Sequence, residues 1–234
     1  MDPNLKKTSS GTKPENSLFS LIFNILIPSI ILIKLKIDPK LTLLIALSFP
    51  ISYSIWFFIT RRSGNLISIL GFVNVLLTGG LGILAVSKIW FAVKEATLPL
   101  ILGIAILTTI KSENPLINSL FFNKNMVDVE RIKSIIEANN SKDKFDHLTY
   151  KVSFIISCAF FLSSILNFVL AIVILKHTPG TEEFNTDLGT MNLLSYPIIC
   201  GSCSILMILA VYVYCRDIKK LTGLKMEEIL KTKK

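Results

Sequence analysis

Val152-Ser-Phe-Ile-Ile-Ser-Cys-Ala-Phe-Phe-Leu-Ser-Ser-Ile-Leu-Asn-Phe-Val-Leu-Ala-Ile-Val-Ile-Leu175 runs for 24 residues without a Lys, Arg, Asp or Glu. A helix rises about 1.5 Å per residue, so roughly 20 such residues cross a hydrocarbon core about 30 Å thick. Five other stretches are equally free of charge: 18–33, 41–60, 66–87, 96–110 and 188–215. Four of the six reach the spanning length unaided. Segments 18–33 and 96–110 reach it by recruiting a few flanking residues. The pattern predicts an all-α, polytopic membrane protein with six transmembrane helices.

Composition points the same way. Hydrophobic residues make up 51% of the chain and charged residues 18%. A soluble domain usually carries about 25% charged residues, and six uncharged runs leave too little polar chain to cover them all. The first run does not read as the core of a cleaved signal peptide, because 17 mostly polar residues precede it and no small-x-small site follows. Lys34-Leu-Lys36-Ile-Asp38-Pro39 then reads as a short loop, of about seven residues, into the second helix.

The net charge of +9 would suit a nucleic-acid partner in a soluble protein. In a membrane protein, Lys and Arg instead mark the cytoplasmic loops. Alternate segments carry three, two, seven and seven basic residues on one side, and three, two and one on the other. This asymmetry predicts both termini in the cytoplasm and no nucleic-acid binding.

The domain organisation follows. Residues 1–17 are polar and read as a disordered N-terminus. Residues 18–110 hold membrane helices 1–4, and 152–215 hold helices 5 and 6. Between them, 111–151 form a cytoplasmic loop containing one amphipathic segment, 128–139. There Val129, Ile132, Ile135 and Ile136 share a face, with Glu130, Arg131, Lys133 and Glu137 off it. The segment is expected to lie along the membrane surface, with packing against the bundle as the alternative. The loop 177–187 is acidic and extracytoplasmic. The basic tail, 216–234, reads as helical, with Ile218, Leu221, Leu224, Ile229 and Leu230 toward lipid. Its charge suits anionic lipid; a solvated tail with no specific role is the alternative.

The polar residues inside apolar runs are the candidates for function. Asn24, Asn74 and Asn167 lie deep in helices 1, 3 and 5, while Pro50, Pro99 and Pro197 lie in helices 2, 4 and 6. The chain therefore reads as three Asn/Pro hairpins, with Pro28 as an extra kink in helix 1. Proline frees a backbone carbonyl, and an Asn amide on the neighbouring helix could satisfy it. The other reading is a polar cavity enclosed by kinked helices. Glu95 stands out because 96–110 spans only about 22 Å. The helix must start near Lys88, which draws Glu95 into the outer bilayer, where charge is costly and often functional. Lys88, seven positions earlier on the same face, could pair with it, while Lys94 can snorkel to the surface; a proton- or cation-linked site is the alternative to such an ion pair. Thr78-Gly79-Gly80-Leu81-Gly82 reads as a close helix approach.

No catalytic, cofactor-binding or metal set is written here. His147 and His177 fall on opposite faces. Cys200-Gly-Ser-Cys203 has redox spacing but lies inside a helix, so Cys158, Cys200, Cys203 and Cys215 read as buried apolar side chains.

Several strings carry a likeness: Phe23-Asn24 with Pro28, Leu76-Leu-Thr78-Gly79-Gly80, Lys94-Glu95-Ala96 with Pro99, and Asp128-Val-Glu130-Arg131. Later come Leu166-Asn167-Phe168, Pro179-Gly-Thr181-Glu182, Ser195-Tyr196-Pro197 and Leu221-Thr-Gly223-Leu224. Together, over most of 18–230, they resemble a family of uncharacterised bacterial multi-pass inner-membrane proteins. Helices 2 to 4 are also distantly similar to intracellular septation protein A. The resemblance implies a bacterial inner-membrane location; the septation-protein likeness, with the lack of a catalytic set and the short loops, points to a non-enzymatic role in envelope or membrane organisation. It is compatible with a homodimer or envelope-protein partners. A small transporter or channel for a solute, ion or lipid, using Asn24, Asn74, Glu95 and Asn167, is the alternative.

Overall fold

Uncharged runs become helices because a helix satisfies its backbone groups internally, without water. A computed structural model describes residues 20–61, 66–112, 116 and 129–224. The N-terminus 1–17, the turn 62–65, most of the connection before 129, and the tail beyond 224 with Ile229 and Leu230 lie outside the described residues. Within them the fold is helical, with no strand. The helices are α1 (Ile22–Lys34), α2 (Pro39–Arg61), α3 (Leu66–Ile83), α4 (Lys88–Thr109), α5 (Val129–Ala138), α6 (Lys142–Ile174) and α7 (Glu182–Thr222). Three of them, α4, α6 and α7, are long and apolar enough to cross a membrane. Shorter apolar helices cover Ile22–Lys34 and Val73–Ile83.

Several boundaries differ from those read in the sequence. The α1–α2 loop is four residues rather than seven, because Asp38 caps α2. Its Oδ1 accepts the amides of Lys40 at 3.0 Å and Leu41 at 3.1 Å, with Pro39 at the first helical position. The acidic loop 177–187 is in large part helix. Thr181 Oγ1 accepts the Phe184 amide at 3.2 Å, and Glu182 and Glu183 occupy the first turn, where acids favour the helix dipole. Asp187 Oδ2 then closes the remaining turn by accepting the amides of Lys176 at 2.8 Å and His177 at 3.1 Å.

The bundle has two buried clusters. At the turn end, Leu32, Leu43, Phe91, Leu175, Phe184 and Leu188 bring α1, α2, α4, α6 and α7 together. Phe91 and Phe184 meet edge to face with centroids 5.0 Å apart. The turns after α1, α3 and α6 also gather here. Lys36 pairs with Glu182 at 2.9 Å, Asn185 Nδ2 donates to the Pro39 carbonyl at 2.8 Å, and Lys88 Nζ to the Lys176 carbonyl at 3.4 Å. The Glu182 carboxylate holds the Lys36 ammonium above its ordinary range, chiefly through this hydrogen bond.

At the opposite end, Ile132 and Ile136 of α5 pack on Leu148 and Val152 of α6 and Val213 and Ile218 of α7. This corrects two expectations. The apolar face of α5 is covered by the bundle, since Ile132 and Ile136 are 2% and 3% exposed. Ile218 and Leu224 likewise point into this cluster, with Leu221 packed at its edge, rather than toward lipid. The reason is common to both: α6 and α7 extend past their uncharged runs as continuous helices, so protein reaches these faces.

Candidate functional site

Phe91 and Ala92 of α4 are fully buried, and Lys94, three residues after Phe91, follows them onto the inner face. Its side chain is 6% exposed and that of Glu95 is 19%. Lys94 Nζ lies 2.6 Å from Glu95 Oε1 and donates to Thr78 Oγ1 of α3, also at 2.6 Å. A hydroxyl both accepts and donates. Thr78 passes the contact on by donating to the Asn74 carbonyl at 2.9 Å. The result is a continuous chain of carboxylate, ammonium, hydroxyl and backbone carbonyl that ties α3 to α4.

The pairing differs from the one expected. Lys94, not Lys88, meets Glu95, and Lys94 turns inward rather than to the surface. Helical phase carries the reason: the Phe91 spacing places Lys94 on the buried face, and a four-carbon stem reaches the neighbouring carboxylate. Asn74 takes part through its carbonyl. Asn24 and Asn167 are elsewhere, and their amides close on their own helices. Asn24 Nδ2 donates to Ser20 Oγ at 3.1 Å, and Asn167 Nδ2 to the Ser163 carbonyl at 2.8 Å and Ser163 Oγ at 3.3 Å.

The prolines are accommodated without Asn donors. Pro28 follows a widened π turn at Ile22–Leu26, and Pro197 lies within another at Tyr196–Cys200. Such turns absorb a missing backbone donor by shifting the hydrogen-bond register. Pro50 and Pro99 stay inside α2 and α4. Near Pro99, Ser164 Oγ of α6 donates to the Ala96 carbonyl at 2.9 Å, where the Asn/Pro reading had placed Asn74 of α3 as the donor. One helical turn further along α4, Gly103 admits the ring of Phe161. A Cβ there would stand 2.8 Å from Phe161 Cε1. The glycine reading at α3 holds geometrically for Gly79, where a Cβ would meet Leu47 Cδ1 at 2.8 Å, and for Gly82 against Leu43; Gly80 faces open space.

The roles missed in the sequence are therefore those of Lys94, Thr78, Ser164 and Asn185 as partners. The first three sit one helical turn or less from a position already singled out. Asn185 was hidden because its segment read as loop. The four cysteines are free, and none is fully buried: Cys200 is exposed and the others are half-buried. Cys203 Sγ contacts the Ala159 carbonyl at 3.4 Å. Among the described residues, no three His, Cys, Asp or Glu side chains form a metal-holding group. No protein-family model, curated protein or solved structure matches the chain.

Proposed function

We propose that this chain is a non-enzymatic, six-span protein of the bacterial inner membrane, with both termini cytoplasmic, that supports envelope or membrane organisation as a rigid helical platform. The observation that carries this reading is the Lys94–Glu95–Thr78 chain. Its charges are closed on one another and on the α3 backbone, and Asn24 and Asn167 are spent within their own helices. These are the bonds of a packed bundle, not polar groups converging on a solute.

The topology has its own support. The turns after α1, α3 and α6 meet at one end and belong to the segments poorer in basic residues. The opposite end carries the basic segments, as cytoplasmic loops do. The likeness to septation protein A adds the envelope role.

Three measurements test the proposal. A reporter fused after Lys234 reads cytoplasmic; activity only on the outer side overturns the topology. Cross-linked capture from native membranes recovers division or wall-synthesis proteins. Proteoliposome flux of a solute or ion above the empty-vesicle rate, abolished by Glu95→Gln, overturns the platform reading in favour of transport.

A further inference from the structure

α6 starts at Lys142, ten residues before its uncharged run begins at Val152, and α7 continues past Cys215 to Thr222. The two extensions stand side by side beyond the apolar bundle. Gly223, with φ 70°, ends α7 in the left-handed conformation, and its amide bonds to the Lys219 carbonyl. Asn139 Nδ2 donates to the Leu221 carbonyl at 3.3 Å, which ties the end of α5 to the same place.

A cleft of about 200 Å³ opens between the extensions. From α6 it receives Lys144, His147 and Lys151, which at spacings of three and four residues share one face. From α7 it receives Lys220 and Asp217. Leu148 and Leu221 supply its apolar lining.

The charges are unbalanced within this lining. Asp217 is the single acid, and it is already held by Arg216, Nε to Oδ1 at 2.7 Å. Lys151 and Lys220 both lie near enough to favour its charged form. Among the described residues, none of Lys144, Lys151 and Lys220 has an ion-pair partner. Asp143 and Asp146 of α6 stay outside the lining. Three lysines from two helices, all of them exposed, thus line one cleft. An excess of like charge along one cleft favours the entry of an anion. Several lysines and an imidazole suit a group with several acceptor oxygens.

We propose that this cleft is a binding site for a phosphate group, supplied either by a phospholipid headgroup or by a soluble phosphate ester. This goes beyond the platform reading and stands whether or not that reading holds. The placement suits a headgroup: Lys151 immediately precedes the apolar run, and the partly buried Leu221 offers apolar surface to the glycerol end.

The test uses the purified full chain in neutral detergent. Thermal unfolding is followed while dioctanoyl-phosphatidylglycerol, dioctanoylglycerol (without phosphate) or glycerol phosphate is titrated. Each lysine near a lipid surface contributes roughly fivefold in affinity, so Lys144→Gln/Lys151→Gln/Lys220→Gln is expected to weaken binding about 100-fold. A charge-matched control, Lys34→Gln/Lys142→Gln/Lys219→Gln, alters exposed lysines outside the lining and is expected to bind like the parent. Should the triple variant fold poorly, Lys151→Gln and Lys220→Gln singly are expected to lose about fivefold each. Stabilisation by the phosphatidylglycerol alone assigns the site to a headgroup, and equal stabilisation by glycerol phosphate assigns it to soluble esters. Equal loss in cleft and control variants, stabilisation by dioctanoylglycerol as strong as by the phospholipid, or no binding of either phosphate probe overturns the proposal.

Discussion

Glu95→Gln removes one charge from the α3–α4 chain while keeping the side chain's shape. Lys94 then stays on the buried face, 6% exposed, with Thr78 as its remaining partner. Removing one member of a buried pair costs about 3–5 kcal/mol, because the other charge is left uncompensated. The Glu95 side chain keeps 19% of its exposure, so the lower end, about 3 kcal/mol, is expected. Lys94→Met leaves the more exposed partner behind and should cost less, about 1–2 kcal/mol. The double variant Lys94→Met/Glu95→Leu replaces the pair by apolar volume and should return to within about 1 kcal/mol of the parent. The two single losses sum to about 4–5 kcal/mol, well above the loss expected of the apolar double variant. Equilibrium unfolding in mixed micelles measures all three. A loss below about 0.5 kcal/mol for Glu95→Gln, or a double variant as damaged as the two singles added, would refute the buried-pair argument.

Gly189→Ala should cost about 2 kcal/mol, read as a lower unfolding midpoint, because a Cβ there meets the Ser29 carbonyl oxygen at 2.8 Å and Leu32 Cβ at 3.0 Å, where α7 crosses α1. Ser164→Ala leaves the Ala96 carbonyl without its α6 donor and should cost about 1 kcal/mol in the same assay, with Ser164→Thr restoring part of it. Ala85, at φ 48° in the α3–α4 turn, carries left-handed strain, so Ala85→Gly is expected to raise stability by about 1 kcal/mol; an unchanged or lower midpoint contradicts this.

The positions of the helices were legible because charge is excluded from hydrocarbon over a definite length. Among the described residues, each of the six uncharged runs is helical over most of its length, and α4 begins at Lys88, where the short run 96–110 required it to. The amphipathic face of α5 was legible in the same way, from the period of Ile132, Ile135 and Ile136. What covers that face was not. A lipid tail and a leucine side chain are equally apolar. Periodicity therefore names a buried face without naming its cover, and only the extension of α6 and α7 beyond their runs decided that protein fills the role.

The polar residues divide along the same line. Composition singled out Glu95, Asn74 and the prolines, because polar atoms and missing donors are costly in apolar surroundings wherever they occur. Which groups satisfy them depends on distances across helices. Lys94 reaches Thr78 over 16 residues of sequence, Ser164 reaches Ala96 over 68, and Asn185 reaches Pro39 over 146. The basic cleft likewise joins Lys144 and Lys151 to Lys220, far along the chain. By itself, the sequence determined where helices form and which residues cannot be left alone there. The partners were decided only by tertiary structure, because hydrogen bonds and ion pairs act over a few ångströms of space, and that proximity exists only once the helices have packed.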